Sequence, residues 1–197
     1  DVTAYSWTGP NGFSSTLQNP VIPDPVMLNS GDYYVNIYDT NGCYITKVVS
    51  VLIKTKAVAN AGSDITICDG GPAQLSGSGG GAYLWNTGET SSQITVTPQI
   101  TTTYTLTVTN SEGCSDSDDV TVVVNSNPVA NAGADISICN GDNAVLTATG
   151  GGNYLWNTGD ATAIITISPT LTTVYTVTVT NSYGCSDTDE VTVTVNL

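Results

Sequence analysis

The chain has 197 residues, of which 17 are acidic, three are lysines and none is arginine or histidine, for a formal net charge of -14. Such a surface repels phosphate and anionic lipid, which excludes nucleic-acid binding. Without histidine or arginine there is no Ser-His pair and no guanidinium clamp, so no enzymatic activity is expected. No stretch approaches the roughly 20 apolar residues of a membrane-spanning helix, and no direct membrane insertion is expected.

Residues 1–54 hold Tyr5-Ser6-Trp7-Thr8-Gly9-Pro10, a Pro-rich stretch at 20–25, the run Asn29-Ser30-Gly31-Asp32-Tyr33, and Cys43. From residue 55 the pattern becomes regular. Short strands are predicted at 64–68, 73–78, 82–86, 92–97, 104–109 and 119–124, separated by Gly, Asn, Asp and Pro turns. The clearest is Tyr104-Thr105-Leu106-Thr107-Val108-Thr109, where apolar residues alternate with Thr at the period of a half-buried strand. Nothing shows helical spacing. Short strands at even intervals predict an all-β fold of antiparallel β-sandwich modules.

The whole pattern recurs. Cys68, Trp85, Gly88, Pro98, Tyr104 and Cys114 return as Cys139, Trp156, Gly159, Pro169, Tyr175 and Cys185, all at one constant offset. The same step back from Cys114 reaches Cys43, so a third copy opens the chain. The expected organisation is a linear array: a partial module at 1–54 that lacks its first strands, and complete modules at 55–125 and 126–197.

Each complete module has two cysteines, at the same spacing in both. One pair per small module reads as an internal disulfide, Cys68–Cys114 and Cys139–Cys185, formed in an oxidising, extracytoplasmic compartment. Zinc is the competing reading, and two cysteines without histidine fall short of its usual four ligands. Cys43 is left unpaired, or paired with a cysteine outside these residues.

Several segments resemble a known family. Ala59-Asn60-Ala61-Gly62-Ser63-Asp64 and Ala130-Asn131-Ala132-Gly133-Ala134-Asp135 resemble the opening of PKD-like, immunoglobulin-like modules. Tyr83-Leu84-Trp85-Asn86-Thr87-Gly88 resembles their Trp-bearing strand. The ending Thr-Tyr-Thr-Leu-Thr-Val-Thr-Asn, with the following Gly113-Cys114 and Asp119-Val120-Thr121-Val122, is similar to tandem repeats of large secreted Bacteroidota surface proteins, such as SprB-like gliding-motility adhesins. The opening module at 1–54 looks like a sister type, and Ser30-Gly31-Asp32-Tyr33 matches the tyrosine-corner pattern. The resemblance implies an extracellular or cell-surface protein used as spacer, adhesin or filament part. Its implied partners are neighbouring copies or upstream modules, surface glycans and other surface proteins. PKD-like modules also serve as accessory binding or spacer modules of secreted hydrolases, which is the alternative function.

The acids Asp116, Asp118 and Asp119, echoed by Asp187, Asp189 and Glu190, form the one dense carboxylate cluster. They are the candidate calcium ligands, with Asp64 and Asp135 as contributors, because hard cations take several oxygens. The competing reading is that alternating acids keep an edge strand from pairing with another chain. No cofactor is otherwise expected. Trp7, Trp85 and Trp156 read as core residues rather than sugar platforms, Tyr33, Tyr104 and Tyr175 as corner or core residues, and Tyr34, Tyr38 and Tyr44 as candidate surface contacts. The Thr rows 105, 107, 109 and 176, 178, 180 read as solvent-facing strand positions.

The first module lacks its early strands and the cysteine that the later modules carry ahead of their Trp. Three explanations are open: the chain is a segment of a longer protein, processing cut it there, or a neighbouring subunit supplies the missing strands. The expected function is a structural segment of an extracellular bacterial surface adhesin or filament, with strand complementation of the first module as its route to polymerisation.

Overall fold

The computed structural model describes residues 1–196. The strands in chain order are β1 (Val2–Thr8), β2 (Ser14–Ser15), β3 (Gly31–Asp39), β4 (Tyr44–Val51), β5 (Ile65–Cys68), β6 (Ala73–Ser76), β7 (Ala82–Trp85), β8 (Gln93–Val96), β9 (Thr102–Thr109), β10 (Ser115–Asn125), β11 (Ile136–Cys139), β12 (Ala144–Thr147), β13 (Asn153–Trp156), β14 (Ile164–Ile167), β15 (Thr173–Thr180) and β16 (Ser186–Asn196). The only helical pieces among the described residues are two 3-10 turns, Pro10–Gly12 and Met27–Asn29. Among the described residues no helix is long and apolar enough to cross a membrane.

The third repeat shows the plan most clearly. Its alternation sends Tyr175, Val177, Val179, Val191 and Val193 inward, while Thr176, Thr178 and Thr180 stay partly exposed on the other face. The sheet runs β11-β16-β15-β13, and a second sheet, β12-β14, closes the core with Ala144, Leu146, Ile165 and Ile167. Each fully buried Val or Leu contributes about 1.5–3 kcal/mol. Trp156 is 1% exposed at the centre, and its indole N–H donates to the Thr162 carbonyl at 3.0 Å. All pairings are antiparallel except β11 with β16, which is parallel. Two packed sheets with this strand order make an immunoglobulin-like sandwich.

The second repeat follows the same order, β5-β10-β9-β7 with β6-β8. Its parallel register, Ile65↔Val122 through Cys68↔Asn125, reproduces that of the third repeat, Ile136↔Val193 through Cys139↔Asn196. The glycine run before each Trp-bearing strand has a steric cause. Gly150 sits at φ +140, and a Cβ there would meet the Val129 carbonyl oxygen at 2.7 Å, where the opening segment bridges Asn131 to Thr149.

The first repeat has a single sheet, β2-β1-β3-β4. Tyr33 and Val35 are buried on its inner face. The expected tyrosine corner is present: the Tyr33 hydroxyl donates to the Asn29 carbonyl at 2.7 Å. Trp7 donates to the Leu17 carbonyl at 3.0 Å but remains half-buried. The Pro-rich stretch adds no strand, and no second sheet covers this inner face among the described residues.

The chain divides into two compact units. One comprises residues 1–59, 79–83 and 107–117, and the other residues 60–78, 84–106 and 118–197.

Candidate functional site at the repeat joint

The parallel strand at the edge of each sandwich decides what the cysteines can do. Because β11 runs parallel to β16, Cys139 lies opposite Asn196, at the far end of β16. Cys185 immediately precedes Ser186, at the near end of the same strand. Ten strand steps of about 3.3 Å separate the two ends by roughly 33 Å, far beyond the 4.4–6.8 Å that a disulfide spans between Cα atoms. The expected bond Cys139–Cys185 is therefore not made. Cys68–Cys114 is not made either: Cys68 lies opposite Asn125 while Cys114 precedes Ser115.

Cys68 is bonded to Cys185 instead, with Cα atoms 5.5 Å apart and a sequence separation of 117. The bond joins the second repeat to the third. Closing a loop of that length restricts the unfolded chain by about 5 kcal/mol in the chain-entropy account.

Hydrogen bonds hold the linker beside it. The Asn181 Oδ1 accepts from the N–H groups of Tyr183 and Cys185, which shapes the β15–β16 turn, and its Nδ2 donates to the Ser126 carbonyl at 2.8 Å. Asn127 Nδ2 donates to the Asp69 carbonyl at 3.3 Å, and the Asp69 N–H to the Asn125 carbonyl at 2.9 Å. Cys185 is 1% exposed. Asn181 was not singled out from the sequence. Its signal was the spacing Asn-x-x-Gly-Cys, present at 110–114 and 181–185 and as Asp-x-x-Gly-Cys at 39–43.

Cys43, Cys114 and Cys139 are free thiols, the first and last exposed and Cys114 partly so. Their local geometry repeats that of the bonded pair. Asn110 Oδ1 accepts from the N–H of Cys114 at 3.0 Å, and Asp39 Oδ1 from that of Cys43 at 2.9 Å.

The candidate calcium ligands are engaged otherwise. Asp187 and Asp189 accept from the N–H groups of Ala130 and Ala132 at 2.9 and 2.7 Å, and Asp116 and Asp118 from Ala59 and Ala61 at 3.0 and 2.8 Å. Asp64 and Asp135 accept in turn from the N–H groups of Thr121 and Thr192. These carboxylates lace the opening segment of each repeat to its last strand, in the same relative register as the backbone pairing that follows. Asp116, Asp118, Asp187 and Asp189 lie on the stretches of β10 and β16 that precede the parallel ladders, which begin at Val122 and Val193, so side chains rather than a backbone ladder hold the opening segment there. Asp119 and Glu190 are exposed. No group of three or more His, Cys, Asp or Glu side chains is placed to hold a metal ion among the described residues.

In the first repeat, Trp7, Phe13, Tyr33, Val49 and Val51 line an open groove of about 290 Å³. Val49 is 48% exposed, whereas Val120, its equivalent in the second repeat, is 1% exposed. A second groove of about 300 Å³ lies beside Cys43 and includes Ile37, Tyr38 and Tyr44. Tyr34 and Tyr44 are exposed. Near the start of the second repeat, Glu112 accepts from the hydroxyl and N–H of Thr55, and these bonds, with Lys54 nearby, hold its carboxyl below the ordinary glutamate range.

No protein-family model matches the chain, and no curated protein matches its sequence. Solved structures similar to it include the N-terminal eight Ig domains of Down Syndrome Cell Adhesion Molecule (DSCAM) isoform 1.30.30, at 14% identity and TM-score 0.42 over 98% of this chain and 32% of that one. The insect immune protein hemolin aligns at 14% identity and TM-score 0.42 over 98% of this chain and 67% of that one. Three N-terminal domains of the bacteriophage RB49 Highly Immunogenic Outer Capsid protein (Hoc) align at 14% identity and TM-score 0.40 over 98% of this chain and 88% of that one. The chain thus spans about a third of the length of the DSCAM fragment.

Proposed function

We propose that this chain is a structural, non-catalytic segment of an extracellular bacterial surface adhesin or filament. The observation that carries the reading is the Cys68–Cys185 bond, which ties one sandwich to the next across their linker rather than stapling each internally. A joint crosslinked in this way keeps successive repeats aligned, which suits a stalk and requires an oxidising compartment. Surface labelling of intact producing cells with an antibody to residues 126–197, followed by electron microscopy, tests it. Labelled rods or fibres outside the cell are expected. Confinement to the cell interior, with all five cysteines reduced, contradicts it.

A second element of this reading concerns the first repeat. Its groove at Trp7, Phe13, Tyr33, Val49 and Val51 occupies the face that β6 and β8 cover one repeat later. The unpaired edge of β4 corresponds to the edge of β10 that receives β5. A strand segment from a neighbouring repeat or copy completes both, as in strand addition to an open sheet. A synthetic peptide of residues 60–78 supplies the equivalent segment. Binding is expected to shift Trp7 fluorescence to the blue, since Trp85 and Trp156 are already 1% exposed; no binding at high micromolar peptide rejects strand complementation and leaves the stalk reading standing.

A further inference from the structure

Five cysteines yield one bond, and the other three sit in positions that duplicate its two halves. Cys139 ends β11 as Cys68 ends β5: each faces an Asn at the end of the parallel strand, and in each case the following N–H donates to that Asn carbonyl at 2.9 Å. Cys114 follows the Asn110 turn as Cys185 follows the Asn181 turn, and the side chains of Asn110 and Asn181 grip the equivalent linker carbonyls of Thr55 and Ser126 at 2.9 and 2.8 Å. Cys43 closes the turn made by Asp39. The halves match down to individual hydrogen bonds, so the partner each one fits is defined by the half it lacks.

We infer that the cysteines obey one rule: the cysteine ending the first parallel strand of a repeat bonds the cysteine of the last hairpin in the following repeat. Cys68–Cys185 is the instance whose two halves both lie in these residues. Cys139 therefore takes the hairpin cysteine of a further repeat docked after the third. Cys114 takes the strand-end cysteine of the strands that complete the first repeat, and Cys43 that of a repeat docked before the first. The exposure of the hairpin cysteines fits: Cys185, with its partner, is 1% exposed, whereas Cys114 is partly exposed and Cys43 is exposed beside an open groove of about 300 Å³. Each bond forms as two thiols lose two protons and two electrons to an oxidant such as glutathione disulfide, which leaves as two reduced glutathiones.

The rule has a mechanical consequence. In an array obeying it, the shortest covalent path enters at a hairpin cysteine, runs to the next strand-end cysteine, and crosses by a bond to a repeat farther on. Here that path is the stretch from Cys114 to Cys139, and one such stretch serves every two repeats. At roughly 3.5 Å per residue it cannot exceed about 90 Å, so the array resists lengthening even when its sandwiches unfold. This inference stands on the bond and the repeat and does not depend on the adhesin or filament reading.

The test extends the chain by a second copy of residues 126–197 placed after Leu197, with the exposed neighbours of its two cysteines changed in that copy alone (Ser137→Thr and Tyr183→Phe) so that its cysteine peptides differ in mass from those of Cys139 and Cys185. The product is folded with a glutathione redox pair, digested with pepsin at acidic pH, and its linked peptides are read by mass spectrometry. Cys139 is expected to be linked to the hairpin cysteine of the added copy, beside an intact Cys68–Cys185. The extended chain should show one fewer reactive thiol than a version with serine at the added hairpin cysteine, which serves as the folding control. An extended chain that retains Cys68–Cys185 but leaves Cys139 reactive, or joins it to Cys185, overturns the rule. A non-reducing gel of the oxidised, unextended chain distinguishes the partner's source: a ladder of copies linked through Cys139 and Cys43 assigns it to a second molecule, and a monomer alongside the bond in the extended chain assigns it to the same polypeptide.

Discussion

The first and third repeats carry closely similar inner faces and meet different fates. In the third, Trp156 and Val191 are each 1% exposed because β12 and β14 lie across them. In the first, Trp7 is half-buried and Val49 is 48% exposed, and no facing sheet lies across them among the described residues. The cysteines divide the same way, Cys185 bonded and buried, Cys43 free and exposed. A sandwich of about 70 residues thus needs both sheets to hide its core, and the joint needs the repeat before it to hide its cysteine.

The largest test of this contrast is mechanical. With the chain tethered at both ends, the Cys68–Cys185 bond excludes the whole segment between these cysteines, a sequence separation of 117, from the stretched path. Reduction should add about 400 Å to the unfolded contour length in single-molecule pulling. Next in size is a pair of core substitutions read by urea denaturation. Trp156→Ala should cost about 3–5 kcal/mol, and Trp7→Ala about 1–2 kcal/mol, because Trp7 is already partly exposed and no second sheet among the described residues packs on it. Equal costs would mean that the first repeat closes in solution.

Smaller effects test the acid lacing. Asp189→Ala strands the buried N–H of Ala132 and should cost about 1–2 kcal/mol, whereas exposed Asp119→Ala should stay within about 0.5 kcal/mol. Calcium at millimolar concentration should leave the melting temperature unchanged; a rise abolished by Asp187→Asn would restore these acids as ligands. The smallest is Glu112. Its folded-state pKa is lowered by the bonds from Thr55, so its contribution is present above the unfolded-state pKa and lost as pH falls through the folded one. Glu112→Gln should flatten that part of the stability-pH curve at acidic pH. The third repeat has Tyr183 at this position and should show no such component.

Much of the fold was legible in the sequence because alternation and turn residues are local. Thr102–Thr109 and Thr173–Thr180 announce themselves as strands, and the Trp spacing marks the core. What was not legible was pairing between distant segments. Nothing in Ile65-Thr66-Ile67-Cys68 says that it runs parallel to β10 rather than antiparallel, yet that direction sends Cys68 to the opposite end of the sandwich from Cys114 and redirects the disulfide to the next repeat. The acids mislead for the same reason. On the page Asp116, Asp118 and Asp119 look like a cation cluster, whereas in the fold alternate members turn toward the N–H groups of the opening segment, far away in sequence.

The most direct measurement is a peptide map of the oxidised chain, digested with pepsin at acidic pH to suppress thiol exchange. The account predicts a single linked pair, Cys68 with Cys185, and alkylated Cys43, Cys114 and Cys139. Linked peptides pairing Cys68 with Cys114 and Cys139 with Cys185 would contradict it, because they would place both cysteines of a repeat at one end of its sandwich.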